Sequence, residues 1–511
     1  MTEAVVAAYL ALVLAIGAFA RRRLAATGED YFAASRTIGP VVLLATLFGT
    51  HMTAFSLLGA SGEAYHRGVG VFSLMASSSA LVVPAVFWFV APRAWTVCRR
   101  NGFLTQVEMV RARWESPGLA VALGAVLAAL LVPYLLIGVM GGGITLAEIT
   151  DGRLPQWAGS LAMVAVVLAY VAAGGIRGTS WVNTFQTVVF IVLGAVTAGV
   201  VAAKTGGLGA LASRVDPVLL VHGDRIPFLE LLTYALIPLS VGTFPHIFSH
   251  WLSAESPRTF RLPIVAYPLC VAAVWLPSVL VGVLASADLP GLEGPAANSV
   301  LIRAIDLHAP GALAGLLAAG VFAAVMSSLD SQTLALSSLV THGLGHRRRT
   351  AVPGAGAADA GTAGVEAATA AGATAVEAAA GRRQLLLGRL FVALILAATF
   401  ALSLIAERSI FRLGIWSFTG FAALFPLLVA ALWWRRATAA GAWASLLTAT
   451  GLWLYYFLHA TQNPGYTVAG TGVMPVAVIL PAAALALVVV SLLTRPPSDD
   501  AMVLFFPEGS R

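Results

Sequence analysis

The sequence predicts an all-α integral membrane protein with about thirteen transmembrane helices. Of its 511 residues, 59% are hydrophobic and only 10% are charged, whereas soluble proteins carry roughly 25% charged residues. The apolar residues gather in windows of about 20, enough to cross a hydrocarbon layer of roughly 30 Å as a helix. These windows lack the alternation of apolar and polar residues that strands of a membrane β-barrel show.

The apolar windows follow one another along most of the chain. They are approximately residues 3–20, 38–60, 69–92, 118–147, 156–174, 181–203, 228–252, 262–286, 311–341, 387–406, 410–434, 438–459 and 472–494. We expect the first window to be a spanning helix and not a cleaved signal peptide, because the basic cluster Arg21-Arg22-Arg23 follows it and does not precede it.

The basic residues predict the orientation of the chain. With the N-terminus outside, the inside segments hold 22 of the 30 Lys and Arg residues. Basic residues concentrate in cytoplasmic loops. We therefore expect a multi-pass protein of the cell (inner) membrane with its N-terminus outside and its C-terminus in the cytoplasm.

One long segment between the ninth and tenth windows does not fit the membrane pattern. Residues 350–381 are rich in Ala, Gly and Thr and contain no Leu, Ile or aromatic residue, so they bury too little apolar surface to offset the entropy of ordering. We expect a flexible cytoplasmic insertion over residues 345–384.

Composition and motifs exclude several functions. Two cysteines, Cys98 and Cys270, argue against a disulfide framework or a multi-cysteine metal site. The chain has no P-loop, no His-Glu-x-x-His motif and no basic stretch typical of nucleic-acid binding. The histidines in Pro245-His246 and Ser249-His250 are not expected to form the i,i+4 pair of a helix-borne zinc site. We therefore predict no enzyme activity, no prosthetic group and no nucleic-acid partner.

The second span is a candidate for a broken helix. Residues 49–53, Gly-Thr-His-Met-Thr, place a glycine, two hydroxyl side chains and an ionisable histidine in an apolar window. Secondary transporters bind ions and substrates near the midplane, where interrupted helices expose backbone carbonyls. A regular helix with small residues at its packing surface is the alternative for this segment.

The ninth span carries several hydroxyls on one face. Ala324, Ser327, Ser328 and Ser331 follow the spacing i, i+3, i+4 and i+7. Oxygen-only ligation suits a hard cation such as Na⁺, although serines within spans also serve as packing contacts. Asp330 is a rare intramembrane carboxylate and by default a functional candidate.

Six motifs in order give the chain a resemblance to the sodium/solute symporter family, which includes sodium-coupled proline, sugar, pantothenate and monocarboxylate carriers. The motifs are YFAASRTIG at 31–39, Gly62-x-x-Tyr65-x-x-Gly68, Gly174-Gly175-Ile176-Arg177, Trp181 with Gln186, Pro245-His246 and Met326-Ser327-Ser328-Leu329-Asp330-Ser331. Each motif is weak alone, and the resemblance covers the chain apart from the insertion.

The resemblance implies a core of two five-helix inverted repeats with a broken first core helix. The chain then divides into an N-terminal extra helix and loop, the first repeat with the start of the second, the rest of the second repeat with the insertion, and two C-terminal extra helices with a short tail. These parts are residues 1–37, 38–255, 256–434 and 435–511.

The resemblance also implies a Na⁺ site between the second and ninth spans. Transferred to this sequence, the ligands are carbonyls of Gly49, Met52 and Ala324 and the hydroxyls of Ser327 and Ser328. His51 and Asn183 stand where relatives carry aspartates, so we expect a single Na⁺. His51 titrates near neutrality, which leaves proton coupling open. His51, Asn183 and Asp330 are the coupling candidates.

The substrate is expected beside the break. The candidates are Thr53, Phe55, Ser56, Tyr134, Thr243, Trp416 and Phe418. The segment before Pro245 is small and apolar, which disfavours a sugar; a short monocarboxylate or similar organic anion is our first expectation and an amino acid the second.

These observations predict a secondary active transporter that couples Na⁺ to uptake of a small organic solute by alternating access. A proton-coupled symporter using His51 is the alternative, and a channel or a membrane sensor is more remote.

Overall fold

The computed structural model of the protein describes residues 2–21, 37–204, 206–221, 225–309, 311–343, 386–406, 409–462 and 467–506. Within these ranges the fold is all-α, as predicted, and the only extended pairing is an isolated bridge between Ile38 and Ala254. The insertion 350–381 and the motif residues 31–36 lie outside the described residues.

The helices of the first half begin with the N-terminal helix and continue through the first predicted broken span. They are α1 (Thr2–Arg21), α2 (Pro40–His51), a π-helical turn (Phe55–Gly59) leading into α3 (Ala60–Arg67), α4 (Ser78–Phe89), α5 (Ala91–Asn101), α6 (Gln106–Trp114), α7 (Pro117–Ile149) and α8 (Gln156–Lys204).

The second half has a similar order of long and interrupted helices. They are α9 (Phe228–Tyr234), a 3-10 turn (Ile237–Gly242), α10 (Pro245–Ser253), α11 (Arg261–Ala285), α12 (Val300–His308), α13 (Gly311–Ser338), α14 (Leu386–Ser403), α15 (Ile410–Ala423), α16 (Phe425–Trp433), α17 (Ala439–Gln462), α18 (Val476–Leu493) and α19 (Asp499–Phe505).

The count of thirteen spans is not confirmed. In the described part of the chain, 8 helices are long and apolar enough to cross a membrane, or up to 10 if each bent pair is one span. The fifth and sixth predicted spans lie in the single helical segment α8, whose apolar parts are Gln156–Val171 and Thr179–Lys204.

Two spans are broken near their middle. The second bends by 59° between Pro40–His51 and Phe55–Arg67, and the seventh bends by 52° between Phe228–Gly242 and Pro245–Ser253. The sequence predicted the first break. The second follows from Pro245, because proline has no N–H and pushes the preceding residue out of the helical region; Phe244 accordingly has φ −60° and ψ 120°.

Helix α13 occupies the centre of the bundle. In its apolar window 83% of the residues are buried, more than in the other long spans of the described chain. Glycines let neighbouring helices approach it: a Cβ at Gly138 of α7 would lie 3.3 Å from Leu329, and one at Gly320 would lie 2.9 Å from Leu193 of α8. Helix α13 is thereby held against α7 and α8.

Candidate functional site

The break in the second span exposes backbone between α2 and the π-helical turn. Met52 is extended, with φ −81° and ψ 117°, and is fully buried. The Thr53 hydroxyl accepts a hydrogen bond from the Phe55 N–H at 3.0 Å, and the Ser56 hydroxyl accepts one from the Thr53 N–H at 3.5 Å. These two side chains satisfy donors that the interrupted helix leaves free. Buried, non-helical backbone at this depth is the arrangement that transporters use around bound ions.

Gly49 and Ser327 bring α2 and α13 into contact beside the break. A Cβ at position 49 would lie 2.9 Å from Ser327 Oγ and 2.2 Å from Thr187 Oγ1. Ser327 Oγ is buried and has no hydrogen-bond partner in the described part of the chain. The neighbouring Ser328 hydroxyl donates to the Val325 carbonyl at 3.0 Å. The structure therefore brings Gly49 and Ser327 together; the other predicted ligand residues, Met52, Ala324 and Ser328, are buried.

A polar cluster joins four elements next to this contact. The Asn183 amide of α8 donates to Thr50 Oγ1 at 3.0 Å and to Ser331 Oγ at 2.9 Å. The hydroxyls of Thr50 and Ser331 lie 2.9 Å apart. His250 Nε2 of α10 lies 3.2 Å from Ser331 Oγ. Asn183 was a predicted coupling candidate, and the structure gives it the role of a bridge between α2 and α13.

Asp330 lies behind this cluster. Its Oδ2 accepts a hydrogen bond from the Tyr170 hydroxyl at 2.9 Å, and its Oδ1 accepts one from Ser331 at 3.0 Å. Both carboxylate oxygens therefore act as acceptors, and the side chain is fully buried. Hydrogen bonds of this kind to a charged group reduce the cost of burying it.

His51 lies on the other side of α2. Its Nδ1 is hydrogen-bonded to the Tyr267 hydroxyl of α11, and the two rings stack at 5.9 Å between centroids. The imidazole also lies 6.3 Å from the Phe244 ring. The third coupling candidate is thus separated from Asn183 and Asp330 and belongs to the α2–α11 interface.

Aromatic rings fill the space between the two breaks. Phe55, Tyr134 and Phe244 all contact Phe418, with centroid distances of 4.9, 4.8 and 5.5 Å. His246 packs against Tyr134 at 5.4 Å and Phe244 at 5.0 Å. The Tyr134 hydroxyl has no hydrogen-bond partner among the described residues. The predicted substrate residues Phe55, Tyr134 and Phe418 therefore converge.

The remaining substrate candidates make other contacts. The Thr243 hydroxyl donates to the Phe421 carbonyl at 2.7 Å, and so fixes the second break to α15. Trp416 lies against α17, where its carbonyl accepts from Trp453 and its ring packs on Phe457 at 5.7 Å. Trp416 thus points toward a C-terminal helix, outside the aromatic group.

The sequence interpretation of the histidines near the second break was wrong. His246 and His250 are four residues apart on α10, so they form the i,i+4 pair that was not expected. This spacing is present in the sequence itself. Thr187 is a further polar residue of the site that the sequence did not indicate. Thr50 and Ser331 lie in the two segments that the sequence singled out, but the hydrogen bonds that join them to Asn183 could not be read from a single span.

The family of the chain follows from comparison with known proteins. Residues 31–351 match the model of the sodium:solute symporter family. The chain belongs to this family. The resemblance indicated by the six motifs is therefore confirmed. This symporter is a multi-pass membrane protein of a family of solute transporters.

Individual relatives agree with this assignment. The symporter is 28% identical to the sodium/pantothenate symporter of Escherichia coli (strain K12), over 65% of this chain and 70% of that protein. It is 25% identical to the sodium/proline symporter of the same organism, over 82% of this chain and 80% of that protein. A solved structure of a Na⁺-coupled sialic acid symporter in a substrate-bound outward-open state superposes with a TM-score of 0.72, 15% identity and coverage of 97% and 98%. The predicted transporter fold with a broken first core helix is thereby confirmed.

Proposed function

We propose that this symporter couples one Na⁺ to the uptake of a small organic solute by alternating access. The observation that carries the proposal is the buried Ser327 hydroxyl, which lacks a partner in the described chain and faces Gly49 beside the break. Leaving a buried hydroxyl unpaired costs about 1–3 kcal/mol. A Na⁺ bound to the oxygen of Ser327 would give this hydroxyl a partner and so remove the cost.

The proposed Na⁺ ligands are the carbonyls of Gly49, Met52 and Ala324 and the hydroxyls of Ser327 and Ser328. Neutral oxygens suit a monovalent hard cation, and the break at Met52 frees carbonyls that a continuous helix would use internally. Asp330 is separated from these ligands by the Asn183, Thr50 and Ser331 cluster. Its negative charge would favour a cation nearby because charges interact strongly in a low-dielectric interior.

The proposed solute is a short monocarboxylate or similar organic anion, with an amino acid as the second choice. Helix α10 begins at Pro245 without a side-chain cap, so its free N–H groups and the positive end of its dipole favour an anion. The unpartnered Tyr134 hydroxyl lies close by, its ring 5.4 Å from Phe244 at the helix start. Aromatic walls would contact the apolar part of the solute.

The test combines a solute panel with a ligand-site variant. A ligand that binds the folded state raises its apparent stability, so we expect a monocarboxylate to raise the melting temperature only when Na⁺ is present. The double variant Ser327→Ala with Ser328→Ala should lose both this response and Na⁺-dependent uptake into proteoliposomes. Ser278→Ala, which removes a buried hydroxyl bonded within its own helix, is the matched control. Undiminished Na⁺-dependent uptake in the double variant would refute the ligand assignment.

Proton coupling through His51 is the competing proposal. Its support is the position of the buried imidazole next to the break and its contact with Phe244. It predicts uptake driven by a pH gradient without Na⁺, lost in His51→Gln. The hydrogen bond between His51 and Tyr267 argues against it, because it already gives the ring a structural partner.

A further inference from the structure

Exposed aromatic rings lie where two helices end next to each other, far from the proposed Na⁺ site in the sequence. Helix α4 ends at Phe89 and α16 ends at Trp433. The rings of these two residues stack with 4.8 Å between their centroids. Both rings are exposed, and the neighbouring Trp88 is 70% exposed. Exposed aromatic rings at the ends of apolar helices are typical of the interface between a membrane and water.

Two arginines lie directly beside these rings. The guanidinium carbon of Arg93 lies 4.3 Å from the Trp433 ring. The guanidinium carbons of Arg93 and Arg435 lie 5.4 and 5.3 Å from the ring of Phe506. We refer to Phe89, Trp433, Arg93, Arg435 and Phe506 as the α4–α16 corner. Its two positive charges are close neighbours and therefore repel each other.

The described chain gives these two arginines no acidic partner. Arg93 donates hydrogen bonds to the backbone carbonyls of Leu432 at 2.7 Å and Phe505 at 3.5 Å. Arg435 is exposed, and its guanidinium forms no hydrogen bond or ion pair with the described residues; its contact is with the Phe506 ring. The donors of Arg435 are therefore free to bind an anion from outside the chain.

A third arginine adds positive charge behind the corner. Arg113 is fully buried, and its guanidinium carbon lies 5.5 Å from the Phe506 ring. Its Nε and Nη2 donate to the carbonyls of Ala431, Trp434 and Arg435, whereas its Nη1 has no partner within the described ranges. Buried charges are usually paired with an opposite charge. Arg113 has no such pair there, so its positive charge adds to the field at the corner.

The acidic side chains close to this region in the sequence make other contacts. Glu115 accepts a hydrogen bond from the Ser498 hydroxyl at 2.5 Å. Asp499 lies in the first turn of α19, where the helix dipole favours a carboxylate. In the described part of the chain, neither forms an ion pair with Arg93, Arg113 or Arg435. The corner therefore carries an excess of positive charge.

We propose that the α4–α16 corner binds the phosphate headgroup of an anionic phospholipid. Guanidinium groups match phosphate oxygens in geometry and charge, and Arg93 and Arg435 supply the donors. The exposed rings of Phe89 and Trp433 suit contact with the upper part of the acyl chains. Basic sites between spans attract anionic lipids in this way. The lipid would reduce the repulsion between the arginines and so stabilise the C-terminal segment that carries Phe506.

The first test is thermal unfolding of the delipidated full-length protein in detergent with added dioleoylphosphatidylglycerol or dioleoylphosphatidylcholine. All buffers contain potassium salts and no solute, so the result is independent of the transport proposal. We expect a saturable rise of the melting temperature with phosphatidylglycerol and no comparable rise with phosphatidylcholine, since a ligand of the folded state stabilises it. Equal effects of the two lipids would refute a site for an anionic headgroup.

Arg435 provides the variant because its exposed side chain has no hydrogen bond that folding requires. Arg435→Gln should weaken the apparent affinity for phosphatidylglycerol about fivefold, and Arg435→Lys should keep most of it. Arg258→Gln is the matched control, since Arg258 is an exposed arginine on a separate turn, Pro257–Phe260. An unchanged affinity in Arg435→Gln, or an equal loss in Arg258→Gln, would contradict the proposed site.

Potassium phosphate separates a lipid headgroup from a free anion. At the concentration at which phosphatidylglycerol saturates, inorganic phosphate should produce no comparable rise of the melting temperature, because it lacks the acyl chains that contact the exposed rings. Equal stabilisation by inorganic phosphate would assign the corner to a free anion and overturn the lipid proposal.

A second measurement uses the unmodified protein and so does not depend on the folding of variants. Amide hydrogen exchange is compared in phosphatidylcholine nanodiscs with and without phosphatidylglycerol. Exchange over residues 499–506 should slow when phosphatidylglycerol is present, while exchange in α9 should stay the same. Unchanged exchange over residues 499–506 would show that the lipid does not stabilise the C-terminal segment and would overturn the proposal.

Discussion

At the scale of single residues, the proposed ion site depends on Gly49, which has no side chain, and on the unpaired hydroxyl of Ser327 that faces it. Gly49 leaves the space into which Ser327 Oγ and Thr187 Oγ1 project, and Thr187 Oγ1 is itself bonded to the Ala45 carbonyl at 2.8 Å. A methyl group at position 49 would therefore collide with two side chains that have little freedom to move. The single methyl group of an alanine at position 49 would therefore be enough to disrupt the proposed ion site.

Replacement of Gly49 tests this geometry. We expect Gly49→Ala to destabilise the protein by about 1–3 kcal/mol, as overpacking of a core does, and to abolish stabilisation by Na⁺. Gly199→Ala is the control, since a Cβ there meets nothing within 4 Å and alanine favours helix over glycine. Thermal unfolding with and without Na⁺ measures both effects. A Gly49→Ala protein that keeps its Na⁺ response would contradict the proposed site.

Tyr134 offers a test at the aromatic group. Its buried hydroxyl lacks a partner in the described chain, so Tyr134→Phe should leave the stability of the solute-free protein unchanged or slightly higher. The same change should weaken solute-dependent stabilisation roughly tenfold in apparent affinity, by about 1.4 kcal/mol.

Tyr170→Phe provides the contrast to Tyr134→Phe. Its hydroxyl donates to Asp330 at 2.9 Å, and removing it should cost about 1–3 kcal/mol of stability because the carboxylate is buried. Equal stability losses for the two tyrosine variants would count against the assignment of Tyr134.

Single helices were predictable where the signal is local. Gly49 to Thr53 marked the first break in the sequence, and α2 does end at His51. The second break has an equally local cause in Pro245, yet the segment was interpreted only for its small, apolar side chains. Interrupted helices at corresponding places of the two halves, one at Gly49–Thr53 and the other at Pro245, are what an inverted repeat requires, so one break could have predicted the other.

Helix α19 shows a contact that the sequence pattern did not indicate. The ring of Phe506, just after this helix, lies 5.4, 5.5 and 5.3 Å from the guanidinium carbons of Arg93, Arg113 and Arg435. The ring is 8% exposed. Three cation–π contacts tie the C-terminal segment to α5, to α6 and to the turn after α16.

Removal of this ring should weaken the C-terminal segment. We expect Phe506→Ala to lower the stability by about 2–4 kcal/mol through lost burial and cation–π contacts, with faster hydrogen exchange over residues 499–506. Val503→Ala, at a side chain that is 61% exposed, should have little effect. A melting temperature that is unchanged in Phe506→Ala would show that the segment is not fastened by the ring.

At the scale of the whole molecule, the basic residues make a prediction about orientation. The excess of Arg on one set of loops predicts that the C-terminus lies in the cytoplasm. Green fluorescent protein fused to the C-terminus of the full chain should fluoresce, and alkaline phosphatase at the same point should be inactive. The reverse result would show that the C-terminus lies outside and would contradict the predicted orientation.

The sequence by itself determined that the protein lies in a lipid bilayer, that its secondary structure is helical, and which chemical groups the proposed ion ligands carry. Low charge and long apolar windows require a bilayer, and oxygen-bearing residues at helical spacing on one span indicate a hard cation. These signals are local, because hydropathy, glycine and proline act within a few turns of one helix.

Only the tertiary structure decided which polar groups meet. Thr50, Asn183, His250 and Ser331 come from four helices, and nothing in any one helix specifies that their side chains share hydrogen bonds. The same packing turned Trp416 away from the aromatic group and left His246 unpaired beside His250. Contacts between distant segments depend on how whole helices cross and on where glycines allow close approach, which the pattern within a single span does not contain.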